Sequence, residues 1–135
     1  MKKEYLTLAA LLLSIIGCDA QPIESKSESK QISVNLDVDF QGVAENIQLN
    51  ASLDSDKTVL DLLLYGKSNG KLDFKYRGDG ETAFVESING IENQMGDGSN
   101  WVFHVNGEMS QEGAGATKLS DRDSVLWKFS AEYLD

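Results

Sequence analysis

Between Ile32 and Phe40 every second residue is apolar: Ile32, Val34, Leu36, Val38 and Phe40 alternate with Ser33, Asn35, Asp37 and Asp39. Successive side chains of a strand point to opposite faces, so a period of two commits this segment to a strand with one face buried and one in water. Gln41 to Glu45 contains Gly42 and predicts a turn, after which Ile47, Leu49, Ala51 and Leu53 resume the alternation. The two runs predict an antiparallel hairpin. The period then changes. Thr58-Val59-Leu60-Asp61-Leu62-Leu63-Leu64-Tyr65 is too continuously apolar for alternation, and predicts a short helix over 58–66 buried against a sheet. Thr58 and Asp61 have the spacing of a capping box, and Gly66 is expected to end the helix in a left-handed turn.

Further strands are predicted near 72–77, 83–88, 101–106 and 124–130, separated by the turn signals Gly78-Asp79-Gly80, Asn89-Gly90 and Asn106-Gly107. Two strands, one helix and then several strands is the element order of a β-grasp. The expected class is therefore α+β, a β-grasp-like mixed sheet with one principal helix. The 135 residues suit one ordinary domain, and 41% hydrophobic content is enough to fill its core. Lys and Arg number 12 against 22 Asp and Glu, a net charge of −10. That balance argues against nucleic acid, whose binding rests on neutralising phosphates. A single Cys excludes an internal disulfide framework and a multi-Cys zinc site.

The N-terminus carries an address. Lys2 and Lys3 precede an apolar run from Leu6 to Ile16, broken only by Thr7 and Ser14. About 11 residues rise about 16 Å as a helix, short of a hydrocarbon core of about 30 Å, so the segment reads as a signal peptide rather than a span. It ends in Ile15-Ile16-Gly17-Cys18, which resembles the lipobox of bacterial lipoproteins. The resemblance implies cleavage before Cys18, a diacylglyceryl group on its thiol and a further acyl chain such as palmitate on its new amino group. Several chains anchor a protein stably where one does not. The alternative is an ordinary secretory signal with a Cys that happens to stand at the cleavage site. Asp19 resembles the inner-membrane retention signal of enterobacterial lipoproteins. Residues 19–30, DAQPIESKSESK, are polar, contain the only Pro and read as a flexible tether. The expected organisation is a signal peptide at 1–17, lipidated Cys18 and tether at 18–30, and one domain at 31–135.

The second half carries a family resemblance. TVLDLLL (58–64), FVESINGI (84–91), NWVFHVNGE (100–108) and KLSDRDSVLWKF (118–129) follow in that order. The set resembles the small C-terminal β-grasp domain of transcobalamin and intrinsic factor and its bacterial lipoprotein relatives. Thr58, Val59, Leu60, Asn89, Gly90, Trp101, Phe103, Val105, Asn106, Gly107, Asp123, Val125, Trp127 and Phe129 match the pattern. Arg122-Asp123 stands where the family often has Gly-Asp, and Asn100 where a Gly often precedes the Trp. Transcobalamins hold cobalamin between this domain and a large helical barrel. No such barrel fits in 135 residues, so the resemblance implies the fold without carrying cobalamin binding by this chain alone.

Candidate chemistry is sparse. His104 is the only His and lies on a predicted strand with no nucleophile motif nearby, which argues for a sheet-surface residue rather than a catalytic one. The acidic turns Asp54-Ser55-Asp56, Gly78-Asp79-Gly80-Glu81, Gly96-Asp97-Gly98 and Asp121-Arg122-Asp123 lack full EF-hand spacing, and Asp and Gly favour turns without any metal. Trp101 and Trp127 suit either a core or a ligand platform. The stretch from Glu108 to Thr117 suits either a binding loop or an ordinary hairpin connection. The candidate ligand-binding residues are Trp101, Asn106, Glu108, Met109 and Gln111, with lipidation at Cys18, and no catalytic residue, metal or cofactor is expected. The expected function is a non-catalytic binding module tethered to the bacterial cell membrane and facing the periplasm or exterior. It would capture a small ligand such as a corrinoid together with a partner. The alternative is a protein-interaction module that docks onto another envelope protein.

Overall fold

The computed structural model describes residues 30–131. The expected signal peptide, Cys18, Asp19 and the tether up to residue 29 lie outside the described residues. Along the described chain run β1 (Gln31–Asp39), β2 (Ile47–Asp54), α1 (Val59–Ser68), β3 (Phe74–Arg77), β4 (Phe84–Ile88), β5 (Ile91–Glu92), β6 (Asn100–Val105), β7 (Glu108–Met109) and β8 (Ser124–Ser130). No helix among the described residues is long and apolar enough to cross a membrane.

The alternating runs form the expected antiparallel hairpin, with Leu36 opposite Leu49 and Val34 opposite Ala51. On its other side β1 pairs in parallel with β8, setting Leu36 against Val125 and Val38 against Trp127. β6 runs antiparallel to β8, with Phe103 opposite Trp127 and Trp101 opposite Phe129. The resulting five-stranded mixed sheet has the order β2-β1-β8-β6-β7. β3, β4 and β5 form a separate antiparallel sheet of three strands, so the strands expected in one sheet divide between two. The division follows from packing: Phe74, Val85 and Ile88 of the smaller sheet are buried in the same core as Leu36, Val38 and Val125 of the larger. Leu62 and Leu63 of α1 complete that core, each fully buried. Among the described residues the core runs from Ile32 to Phe129, so the described segment carries its own hydrophobic core.

The helix starts as its sequence predicts. Thr58 Oγ1 accepts from the Asp61 N–H at 3.3 Å, and Asp61 Oδ2 accepts from the Thr58 N–H at 2.9 Å. It does not stop at Gly66. A Cβ there would meet Leu72 at 3.1 Å and Leu49 at 3.4 Å, so this glycine lets the helix lie close to the chain that follows it and to β2. The left-handed residue is Gly70, with φ +70°. Around it the Gly70 N–H donates to Lys67 O at 3.1 Å and the Lys71 N–H to Gly66 O at 2.9 Å, the paired bonds of a Schellman ending. A second left-handed position is held by Arg122, φ +73°, whose N–H donates to Ser33 O at 2.7 Å.

These two positions make a paired prediction. Gly70→Ala places a Cβ at positive φ and should lower the unfolding free energy by about 1–2 kcal/mol. Arg122→Gly removes such a Cβ and should raise it by up to about 1 kcal/mol, part of the gain being lost to the freer unfolded chain. Urea denaturation checks both signs.

Candidate functional site

The parting of the two sheets leaves a concavity of about 340 Å³. Its floor comes from β6 and β8. Trp101, Phe103 and Trp127 alternate toward the core and are 7%, 7% and 3% exposed, yet all three line the space. The Phe103 and Trp127 rings lie 4.8 Å apart between centroids, and Trp101 meets Phe40 edge-on at 5.3 Å, so the floor is fixed by its own ring packing. β4 and the residue before it supply the facing wall through Ala83, Phe84 and Val85, of which Phe84 is 41% exposed. Met109, Ser110, Gln111, Gly113 and Ala114 close the remaining side. None of the lining side chains is charged, in a chain of which 25% is Asp, Glu, Lys or Arg.

The closing loop is held by the start of the helix. A helix leaves its first N–H groups without internal partners. Here the Val59 N–H donates to Thr117 O and the Leu60 N–H to Ala114 O, each at 3.0 Å. Leu119 N–H donates to Lys57 O at 2.9 Å, and a single bridge pairs Thr58 with Lys118. Within the loop Thr117 Oγ1 donates to Gly113 O at 3.0 Å and Ser110 Oγ to Glu112 O at 3.0 Å. The stretch from 108 to 117 is thus a fixed rim. Its far side rests on the 3₁₀ turn Gly80–Thr82 so closely that a Cβ on Gly115 would stand 1.9 Å from Gly80 O.

Of the residues expected to bind, Trp101, Met109 and Gln111 come together on the concavity. Trp101 is also anchored, its Nε1–H donating to Ile91 O at 2.8 Å and its N–H to Asn93 Oδ1 at 2.7 Å. Asn106 and Glu108 are not in the lining. Asn106 sits at φ +52° in the turn after β6, where its Oδ1 accepts from the Ser124 N–H and its Nδ2 donates to Asp123 Oδ1, each at 2.9 Å. Those bonds splice the hairpin turn to the start of β8. Glu108 is exposed at the first position of β7. Sequence reasoning missed the β4 wall and the inclusion of Phe103, while Trp127, weighed there as a core or platform residue, does line the space. Which sheets would face each other has no local signal.

The other candidates are occupied differently. His104 is half-buried on β6 and outside the lining. The last of the acidic turns serves backbone donors: Asp121 Oδ1 accepts from the Ser33 N–H and Asp123 Oδ2 from the Ser120 N–H, each at 2.8 Å. No group of three or more His, Cys, Asp or Glu among the described residues is placed to hold a metal ion. One polar atom of the floor stands out. The indole Nε1–H of Trp127 is buried and has no acceptor among the described residues.

Because the rim and the helix start share hydrogen bonds, disturbing one should loosen the other. Gly115→Ala forces the loop off the Gly80 carbonyl. It should cost about 1–3 kcal/mol, as overpacking does, and speed hydrogen exchange at the Val59 and Leu60 amides above that at Leu62 and Leu63. Exchange measured residue by residue checks the pattern.

Comparison with known proteins bears on this same segment. No curated protein matches the chain. Haptocorrin, solved in complex with Cbi, has a similar structure at 20% identity with a TM-score of 0.61, over 78% of this chain and 27% of haptocorrin. The chain therefore spans about a quarter of that protein's length. A protein of Ruminococcus gnavus ATCC 29149, provisionally described as metal-binding, is similar at 17% identity with a TM-score of 0.51, over 72% of this chain and 94% of its own. At these identities the likeness is one of fold. Residues 56–131, from the helix cap through the concavity to the end of β8, match the family model described as Domain of unknown function (DUF4430), and the chain belongs to that family.

Proposed function

We propose that the chain is a non-catalytic ligand-binding module of the bacterial cell envelope, held to the membrane by acyl chains on Cys18. Asp19 favours the inner membrane. We read its domain as a β-grasp, a reading supported by the single helix and by the strand order with a parallel pair inside a mixed sheet. The uncharged, aromatic-floored concavity carries the functional proposal. Ligand sites are largely apolar clefts of about 300–1,000 Å³ with a few polar groups, and this one lies near the lower bound. A corrinoid would enter it only in part, so a partner is needed to cover the rest. The similarity of fold to haptocorrin, solved with Cbi, supports a corrinoid as the first ligand to try.

Calorimetry of the 31–135 fragment with cobalamin tests the need for a partner. Micromolar binding requires about −8 kcal/mol net after the losses of rigid-body freedom. One open face of a small domain should fall short of that, giving no heat or a Kd weaker than micromolar. A nanomolar Kd would show that the domain suffices alone. For the anchor, intact-mass analysis of membrane fractions should find acyl mass on a chain that begins at Cys18. Cys18→Ala should leave the uncleaved precursor at the membrane. A soluble chain with a free Cys18 thiol would sink the anchor.

One observation favours a second reading. β2 is an outer strand of the five-stranded sheet, with Ile47 and Leu49 only half-buried. A strand of an envelope protein could pair with that edge. Copurification of a protein, but no small molecule, with the lipidated chain would favour it.

A further inference from the structure

We infer that the free edge of β2 is the contact between two copies of this chain, which pair it antiparallel about a two-fold axis and join their five-stranded sheets into one. β2 gives no residue to the concavity, so the inference goes beyond the ligand reading and names what covers this edge.

The backbone fixes which groups are free. The Asn35 N–H donates to Asp123 O and Ser33 O accepts from the Arg122 N–H, so these residues of β1 turn their main-chain groups toward the start of β8. Their partners on β2 are Asn50 and Ser52, with Gln48 next in the same alternation opposite Asp37. In an antiparallel pair, opposed residues either bond to each other or both bond outward. Gln48, Asn50 and Ser52 therefore present N–H and C=O to the open edge, while Leu49, Ala51 and Leu53 bond to β1. The Ser55 N–H, which donates to Lys30 O at 2.8 Å, continues that alternation.

Among the described residues β2 differs from the other edge strands. β5 and β7 have two residues each; β3 has four, carries Lys75 and Arg77, and breaks register between Lys75 and Tyr76. Short length, basic side chains and bulges guard an edge against pairing. β2 has none of these: it runs for eight residues in unbroken register without Lys, Arg or Pro. Its single charge, Asp54, accepts from Gln31 Nε2 on β1.

A second copy fits this edge in charge. Two chains of net charge −10 repel, and meet at least cost where neither presents a charge. With Asn50 facing its own copy, Gln48 lies opposite Ser52, Leu49 opposite Ala51 and Ile47 opposite Leu53, so no charge meets a charge and apolar meets apolar. Ile47 and Leu49 are half-buried in the single chain, and the partner strand covers them further. Residues 19–30 offer no alternating apolar run to occupy the edge instead.

Sedimentation equilibrium of the 31–135 fragment should show reversible dimers with a Kd of about 10–100 μM, as suits a small interface. Raising the salt from about 0.05 M to about 0.5 M should tighten them about threefold or more by screening the like net charges. Hydrogen exchange at rising protein concentration should slow at the Gln48, Asn50 and Ser52 amides and stay unchanged at Leu49 and Ala51. Asn50→Pro keeps the net charge and removes only an outward N–H, and should abolish the dimer. Asn50→Lys keeps every N–H and sets like charges opposite each other. It should weaken the dimer about threefold or more, although it lowers the net charge that opposes association.

A chain still monomeric at about 1 mM overturns the inference. So does a dimer that salt dissolves, which charge pairs would be holding, or one whose protection falls outside 48–52. A folded Asn50→Pro chain that dimerises like its parent overturns it as well. Should that variant fail to fold, Asn50→Lys and the exchange pattern decide. None of these readouts involves the concavity, so failure here is distinct from failure of the ligand reading.

Discussion

Two backbone carbonyls hold the architecture of the site together. Ala114 O and Thr117 O take the first free N–H groups of the helix, so the segment that closes the concavity is also the cap of the element that fills the core. A helix of ten residues is too short to be stable by itself, and depends on such capping and on burial of its apolar side chains. The rim also bonds within itself, Ser110 Oγ to Glu112 O and Thr117 Oγ1 to Gly113 O. Through the two shared carbonyls helix, rim and floor form one cooperative unit.

The local elements were legible because local patterns specify them. Alternation from Ile32 to Phe40 can only be a half-buried strand, and Thr58 with Asp61 makes the reciprocal cap that their spacing implies. Gly66 shows where local reasoning stops. Its sequence position suited a helix end, yet Leu72 and Leu49 come close enough to crowd even a Cβ there, and the helix runs on to Ser68. The contact with Leu49 joins residues far apart in sequence, and no neighbour of Gly66 announces it. The same holds for the sheets. Phe74 and Val85 read as strand residues, but their membership of a second sheet is decided by what they pack against.

The candidate site was legible in part for a related reason. Trp101, Met109 and Gln111 were found because aromatic and loop residues next to a turn are common at binding sites, and they do line the concavity. Asn106 matched a motif equally well and serves the fold instead, spending both side-chain atoms on Asp123 and Ser124. Motif residues at turns serve backbone geometry first, and only packing separates those that also face a cavity. Phe84 lay outside every motif that suggested chemistry. Its exposure at the mouth follows from alternation on β4 with Val85 turned inward.

The parallel pairing of β1 with β8 has a mechanical consequence. The two strands advance together from Asn35 and Ser124 to Asp39 and Lys128, so the beginning of β1 and the end of β8 lie at opposite ends of the pair. A force drawn between the two ends of the described chain would therefore run along both strands and load their hydrogen bonds side by side, in shear. It would not open them one after another from an end, as pulling on a hairpin does. A domain wired in this way resists tension between its termini better than its modest size suggests, and should give way abruptly rather than by gradual fraying.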